Sequence, residues 1–122
     1  MKNKESTRYA SSTQENRIAT KLGGRICPNS GAGKFFKSDI RIDDASLSIE
    51  CKTSMTPKDS FSIKKDWISK HYEEAFSNRL FNTAIAFSFY FEDKKDYYII
   101  DDRLMAFLVE KLKEENKLVL NF

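Results

Sequence analysis

A pair of acidic residues and a lysine occupy positions at which two β-strands would bring their side chains together. Glu50 and Lys52 are two residues apart in an alternating run, so a strand there places both on one face. Asp39 opens the preceding run, and antiparallel pairing would carry it beside Glu50 or its diagonal neighbour. Two such carboxylates, with the backbone carbonyl of Cys51 as a further ligand, can hold a hard divalent cation. An adjacent ammonium can orient or deprotonate water, or stabilise charge on a phosphoryl group.

The two runs that carry these residues have the pattern of a β-hairpin. Ile40 and Ile42 alternate with polar residues, Asp43-Asp44 favours a turn, and a second alternating run extends from Leu47 to Lys52. The alternative is an ordinary solvated strand face, since Glu-x-Lys also occurs at 92–94 and 115–117. Only the triplet at 50–52 lies within a predicted strand and follows a strand that begins with an aspartate.

The remaining elements predict an α/β fold with a mixed central β-sheet flanked by helices. Residues 1–10 are polar and basic, and we expect a flexible arm there. A helix is predicted from the capping-box pattern at Ser12–Glu15 to Gly23-Gly24, where glycines end it. A second helix is predicted from an apolar stripe, two strands at 83–91 and 97–100, and a last helix after Asp101 or Asp102. The stripe of the second helix comprises Ile63, Trp67, Ile68, Tyr72, Ala75 and Phe76.

Length and composition restrict the classes of protein and site that fit. A chain of 122 residues is predicted to form a single domain, and its net charge of +3 permits nucleic-acid binding without requiring it. Two cysteines and one histidine do not fit a disulfide scaffold or a zinc site of ordinary composition. The expected cation is therefore one that oxygen ligands prefer, Mg²⁺ or Mn²⁺. No apolar run has the length of a transmembrane helix and the first ten residues lack a signal-peptide core, so a cytoplasmic location is expected, with no membrane partner.

Several segments between residues 12 and 76 resemble one family of nucleases. These are Glu15-Asn16-Arg17, Leu22-Gly23-Gly24, Ser30-Gly31-Ala32-Gly33, Ser38-Asp39-Ile40 and Ile49-Glu50-Cys51-Lys52-Thr53. Together they resemble the archaeal-type Holliday junction resolvases and their phage relatives, in the PD-(D/E)xK nuclease superfamily. One departure is Ser38, which stands where the motif's proline is expected.

The resemblance implies a restriction-endonuclease-like fold and Mg²⁺-dependent cleavage of DNA. It makes Asp39 and Glu50 metal ligands, Lys52 the catalytic lysine, and Glu15 a third acidic group that reaches the metal through water. Ser30 matches a serine of the family in the loop before the hairpin. For Glu15 the alternative is a purely structural role as the acid of the capping box.

Five lysines are candidates for DNA contacts. Lys34 and Lys37 lie in the glycine-rich loop that precedes the hairpin, where the alternative is an ordinary loop anchored by Phe35-Phe36. Lys58, Lys64 and Lys65 precede or begin the second helix, where cations oppose the helix dipole but suit a phosphate ligand. The alternative there is a solvated helix end balanced by nearby aspartates. The one histidine, His71, is expected on a helix flank without a role.

Three functions fit this sequence. The first is a homodimeric resolvase, because paired nicks in a four-way DNA junction need two active sites related by a two-fold axis. The second keeps the fold and chemistry but cuts flaps, single strands or ordinary duplex DNA, as a nicking, flap or restriction-like endonuclease. The third is a nucleic-acid-binding module without catalysis, against which the complete Asp39, Glu50 and Lys52 set argues.

Overall fold

The computed structural model describes residues 2–27 and 39–118, with side chains for 7–27 and 39–116. Three helices, α1 (Lys2–Leu22), α2 (Lys65–Ser77) and α3 (Asp102–Leu118), accompany a five-stranded sheet. The strands are β1 (Arg25–Ile26), β2 (Ile40–Ile42), β3 (Leu47–Thr53), β4 (Asn82–Ser88) and β5 (Tyr97–Ile100). No helix in the described ranges is long and apolar enough to cross a bilayer.

The sheet is mixed, as the sequence predicted. Its strands follow chain order, and every neighbouring pair is antiparallel except β3 with β4, which is parallel. The parallel pair requires a crossover, and α2 supplies it between the end of β3 and the start of β4. The α/β class and the central sheet with flanking helices are therefore confirmed.

The main core lies between α1 and one face of the sheet. Its fully buried centre is formed by Ile18 of α1 with Ile40 and Ile49 of the hairpin, and small residues of β4 complete it. These are the residues that the period of two assigned to the inner face of the strands. Burial of this face fixes the register, because a slip by one residue would turn every one of these side chains to the other side.

Helix α1 begins ten residues earlier than the capping-box pattern predicted. Residues 2–10, expected to be a flexible arm, are helical, so Ser12–Glu15 lies inside the helix and caps nothing. The buried stripe runs through Ala10, Gln14 and Ile18 at intervals of four residues. Its central member is polar, which is why the apolar pattern seemed to begin only at Ile18.

The end of α1 agrees with the sequence. Gly23 adopts a positive φ of 73°, a conformation that glycine reaches without strain, and the Gly24 N–H donates to the Ala19 carbonyl at 2.9 Å. Gly24 also packs directly on β2, since a Cβ there would lie 2.8 Å from Ile42 and 2.9 Å from Ile40. The missing side chain thus lets the chain turn closely over the strand that leads back to Asp39.

Candidate active site

The hairpin register places Asp39 opposite Glu50. Ile40 pairs with Ile49, and the Asp39 N–H donates to the Ile49 carbonyl at 3.1 Å, which continues the ladder by one residue. The Asp39 carboxylate accepts a hydrogen bond of 2.7 Å from the N–H of Cys51. One oxygen of Asp39 is therefore held by the strand, and its other oxygen has no such backbone constraint. The predicted proximity of the two acidic residues is confirmed.

Glu50 and Lys52 share the face of β3 opposite the α1 core. Lys52 Nζ lies 3.2 Å from Glu50 Oε2 and 4.3 Å from the centre of the Trp67 ring on α2. The ammonium is thus held between a carboxylate and an aromatic face, and both its charge and its position are stabilised. Glu50 and Lys52 are each only about a quarter exposed, with side-chain values of 23% and 28%.

His71 of α2 completes this cluster, although the sequence pattern predicted a position on a helix flank without a role. The imidazole is 1% exposed, its Nε2 lies 3.1 Å from the Ser48 carbonyl, and its Nδ1 lies 3.4 Å from Glu50 Oε1. Because a carbonyl only accepts, Nε2 carries the proton and donates to Ser48. Glu50 therefore has Lys52 at one oxygen and His71 at the other.

The burial of α2 explains why His71 was missed. Ile68, Tyr72 and Phe76, predicted to belong to the inner face, are 42%, 45% and 56% exposed. The buried residues of α2 are Ala75, which the predicted stripe included, and His71, which it did not. A face chosen by its number of apolar residues is the wrong one here, because His71, the residue that packs on β3, is polar. The signal available in the sequence was the spacing of four residues from His71 to both Trp67 and Ala75.

The electrostatics of the two strand carboxylates differ. Burial raises the pKa of Asp39, and the neighbouring charge of Glu50 adds to it, although the Cys51 N–H and Lys52 oppose the rise. Burial also raises the pKa of Glu50, but His71 and Lys52 outweigh it and hold the value below its usual range. The surroundings of Glu50 therefore favour its ionised form, whereas burial favours the protonated form of Asp39.

Glu15 of α1 is a third carboxyl group close to Asp39. Burial first, and then the charge of Asp39, raise the pKa of Glu15 to about 7. Two neighbours of Glu15 on α1 attach the helix to other parts of the fold. Gln14 donates to the Lys52 carbonyl at 2.9 Å, and Arg17 forms two 2.8 Å contacts with the partly buried Asp96. The capping role for Glu15 is wrong, because the helix runs through it; its catalytic role stays a prediction.

The raised pKa of Glu15 predicts a pH-dependent effect of Glu15→Gln. The folded protein holds this proton up to about pH 7, whereas the unfolded chain releases it near the ordinary value of 4.5. Stability is therefore lost as pH rises through this window, and Glu15→Gln removes the loss. After allowance for its partial exposure, the variant should be more stable than wild type by ~1–2 kcal/mol at pH 8.

Urea unfolding of both proteins at pH 4.5 and pH 8, in EDTA, measures this difference. Glu73→Gln, at an exposed position on α2, is the matched control and should show no such pH-dependent gain. A Glu15→Gln advantage that is equal at both pH values would contradict the assignment of the shifted carboxyl.

The donor atoms of this cluster suit a metal ion. Asp39 and Glu50 offer carboxylate oxygens. Burial is the main cause of the raised pKa values of Asp39 and Glu15, and a divalent cation would relieve the carboxylate repulsion that adds to it. Cys51 lies between Glu50 and Lys52 on β3, and its thiol is protonated because burial strongly raises its pKa. Elsewhere in this cluster, Glu50, His71 and Glu74 bring one ligand atom each to within 4.8 Å of one another. A metal ion therefore fits here chemically.

The predicted DNA-contacting residues divide into two sets. Ser30, Lys34 and Lys37 lie outside the described residues. Lys58, Lys64 and Lys65 are exposed, and Lys64 lies 5.9 Å from the Trp67 ring centre. Lys64 also occupies the N-cap position of α2, where no side chain caps the first amides.

A groove of about 850 Å³ lies between the end of β3 and the start of α2. Lys58, Lys64, Trp67 and Thr53 are among the residues that line it. Since Thr53 directly follows Lys52 on β3, the groove opens next to the candidate site.

No protein-family model, curated protein or solved structure matches this chain. Function must therefore be argued from the site itself.

Proposed function

We propose that this protein is a metal-dependent DNA endonuclease with a restriction-endonuclease-like fold. The observation that carries the proposal is the register of the hairpin, which sets Asp39 opposite Glu50 while Lys52 lies on the Glu50 face. Two carboxylates and a lysine in this arrangement suit the hydrolysis of a phosphodiester. The carboxylates can hold a metal ion that binds the ester, and the lysine can orient the nucleophilic water or stabilise the developing charge.

Each residue of the site has a separate task in this mechanism. Asp39 and Glu50, with the Cys51 carbonyl, would hold Mg²⁺, for which Mn²⁺ can substitute; when bound, the ion supplies Lewis acidity and neutralises phosphate charge. The Cys51 N–H keeps Asp39 in place. Lys52, held by Glu50 and Trp67, orients the attacking water or stabilises charge at the phosphorus. Glu15 approaches from α1 and orients water on the side of Asp39.

The basic groove is the proposed path of the DNA backbone. Lys58 and Lys64 line it, Lys65 begins the helix beside it, and the uncapped first turn of α2 offers amide donors to a phosphate. We expect Lys58→Ala/Lys64→Ala to weaken DNA binding similarly for all sequences and to reduce the slope of log Kd against log salt by about 2.

Fluorescence anisotropy with labelled DNA at several salt concentrations measures this slope. Lys111→Ala/Lys113→Ala, which removes two lysines that pair with glutamates on α3, is the control of equal charge. An equal loss in both variants would show that overall charge, rather than the groove, governs binding.

Within nucleases, a homodimeric resolvase of four-way junctions is the substrate class we propose. Support comes from the apolar side chains of α3, of which Phe107, Leu108 and Leu112 are 54%, 41% and 62% exposed. Such an apolar helix face is typical of a surface that a second protomer covers. A two-fold dimer would present two sites to the symmetric strands of a junction.

The test of this substrate class is cleavage of a labelled four-way junction beside matched duplex, flap and single-stranded DNA, with Mg²⁺ or EDTA. Paired symmetric nicks in the junction support a resolvase. Preferred cleavage of flap or duplex DNA would replace it with a nicking, flap or restriction-like endonuclease that uses the same site. Binding of DNA without cleavage in Mg²⁺ or Mn²⁺ would leave a binding module.

A further inference from the structure

His71 has a ring nitrogen that is buried and lacks a hydrogen-bond partner. The side chain is 1% exposed, and Nδ1 makes no hydrogen bond, although Glu50 Oε1 lies 3.4 Å away. The other nitrogen, Nε2, is fixed as a donor by the Ser48 carbonyl at 3.1 Å. In the neutral ring Nδ1 carries a lone pair 3.4 Å from Glu50 Oε1. Metal-bound histidines commonly show this arrangement, with the second nitrogen donating to a backbone carbonyl. In the protonated ring Nδ1 pairs with the Glu50 carboxylate, so that the pKa of His71 is raised although burial opposes the rise.

Two glutamates lie beside the imidazole of His71. Glu50 approaches from β3, and Glu74 lies three residues after His71, on the same face of α2. One atom from each of Glu50, His71 and Glu74 lies within 4.8 Å of the others. All three are at least partly buried, and an isolated buried nitrogen beside two carboxylates costs free energy unless a proton or a cation compensates it.

The distances favour a metal ion as that cation. Metal–nitrogen and metal–oxygen bonds of about 2.0–2.2 Å place neighbouring ligand atoms roughly 3.0–3.5 Å apart. The 3.4 Å separation of Nδ1 and Oε1 falls in this interval, whereas it is long for a hydrogen bond between a donor and its acceptor. Only Glu74 would have to move inward.

We propose that Glu50, His71 and Glu74 form a second cation site, selective for a first-row transition ion over Mg²⁺. The imidazole nitrogen sets this preference, since Mg²⁺ favours oxygen ligands alone. The site shares Glu50 with the Asp39 centre but uses its other oxygen, because Oε2 faces Lys52 and Oε1 faces His71. Neither His71 nor Glu74 belongs to the carboxylate and lysine set of the proposed nuclease.

The site can be tested by binding alone, without DNA or Mg²⁺. Ni²⁺ is titrated into the protein by calorimetry, with the fluorescence of Trp67, the one tryptophan, as a local reporter one helical turn from His71. We expect one Ni²⁺ per chain in wild type. Because loss of even an outer-shell partner weakens metal binding by ~10–100-fold, His71→Gln and Glu74→Gln should each weaken it at least about tenfold.

Three further measurements make the result decisive. Glu73→Gln, an exposed neighbour, and Asp39→Asn should bind Ni²⁺ as wild type does, the latter even if it abolishes cleavage. Failure of the nuclease proposal would thus leave this site standing, and the reverse also holds. Circular dichroism measures whether each variant is folded. Glu74 is less buried than His71, so Glu74→Gln still tests the site if His71→Gln unfolds. Wild-type affinity in folded His71→Gln or Glu74→Gln, or loss of binding in Asp39→Asn, would overturn the proposal.

Discussion

Asp39→Asn should abolish Mg²⁺-dependent cleavage while leaving the protein at least as stable as wild type in EDTA. The amide oxygen of asparagine can still accept the 2.7 Å hydrogen bond from the Cys51 N–H, so the hairpin keeps its geometry. The substitution removes a buried charge whose pKa is raised by burial and by Glu50, and it also relieves Glu15. Cleavage should fall by roughly 10³-fold, the scale of lost charge stabilisation in a transition state.

Thermal unfolding separates this result from simple damage to the fold. Wild type should gain stability when Mg²⁺ is added, by about 1.4 kcal/mol at ten times the dissociation constant, and Asp39→Asn should gain much less. Stability that falls in EDTA together with activity would indicate that Asp39 is structural. Unchanged cleavage would remove Asp39 from the active site.

Lys52→Met should reduce cleavage by roughly 10²–10³-fold, the range of a lost proton-transfer or charge-stabilising group. Methionine keeps much of the aliphatic length that packs against Trp67, but it removes the ammonium 3.2 Å from Glu50. Glu50 retains its contact with His71, so the fold should tolerate the change. Single-turnover cleavage at saturating protein isolates this effect from any loss of DNA affinity.

Lys52→Arg then distinguishes the two tasks that remain open for the lysine. Arginine keeps the positive charge but does not exchange its proton near neutral pH. Recovered cleavage would assign charge stabilisation, and continued loss would assign orientation or deprotonation of water. Lys70→Met, in an exposed ion pair with Asp66 on α2, is the control for loss of a surface lysine. Wild-type rates in Lys52→Met would contradict a catalytic lysine.

The hairpin that carries the site was predictable because two independent features specify it. The alternation of Ile40, Ile42 and Ile49 with polar residues fixes which face is buried, and the Asp43-Asp44 turn fixes which residues pair. Together they predicted that Asp39 lies beside Glu50 or its diagonal neighbour, and the observed register pairs it with Glu50. The end of α1 was predictable for a similar reason, since Gly23 needs a positive φ that other residues adopt only with strain.

Polar residues in buried positions account for what the sequence did not show. Gln14 interrupts the inner stripe of α1, yet it is 2% exposed because it donates to Lys52 and Asp96. His71 does the same for α2 through Ser48 and Glu50. Their partners are distant in sequence, so an apolar periodicity cannot identify them. In α1 the buried glutamine made the predicted helix begin too late. In α2 the buried histidine made the predicted inner face wrong and concealed a member of the site.

The central claim is that Glu50 and its neighbours catalyse metal-dependent hydrolysis of DNA. The most direct measurement is single-turnover cleavage of a labelled four-way junction by wild type, Glu50→Gln and the surface control Glu73→Gln, in Mg²⁺ and in EDTA. We predict cleavage by wild type and Glu73→Gln in Mg²⁺ alone, and none by folded Glu50→Gln. Cleavage by Glu50→Gln at the wild-type rate, or no cleavage of any DNA by folded wild type in Mg²⁺ or Mn²⁺, would contradict the proposal.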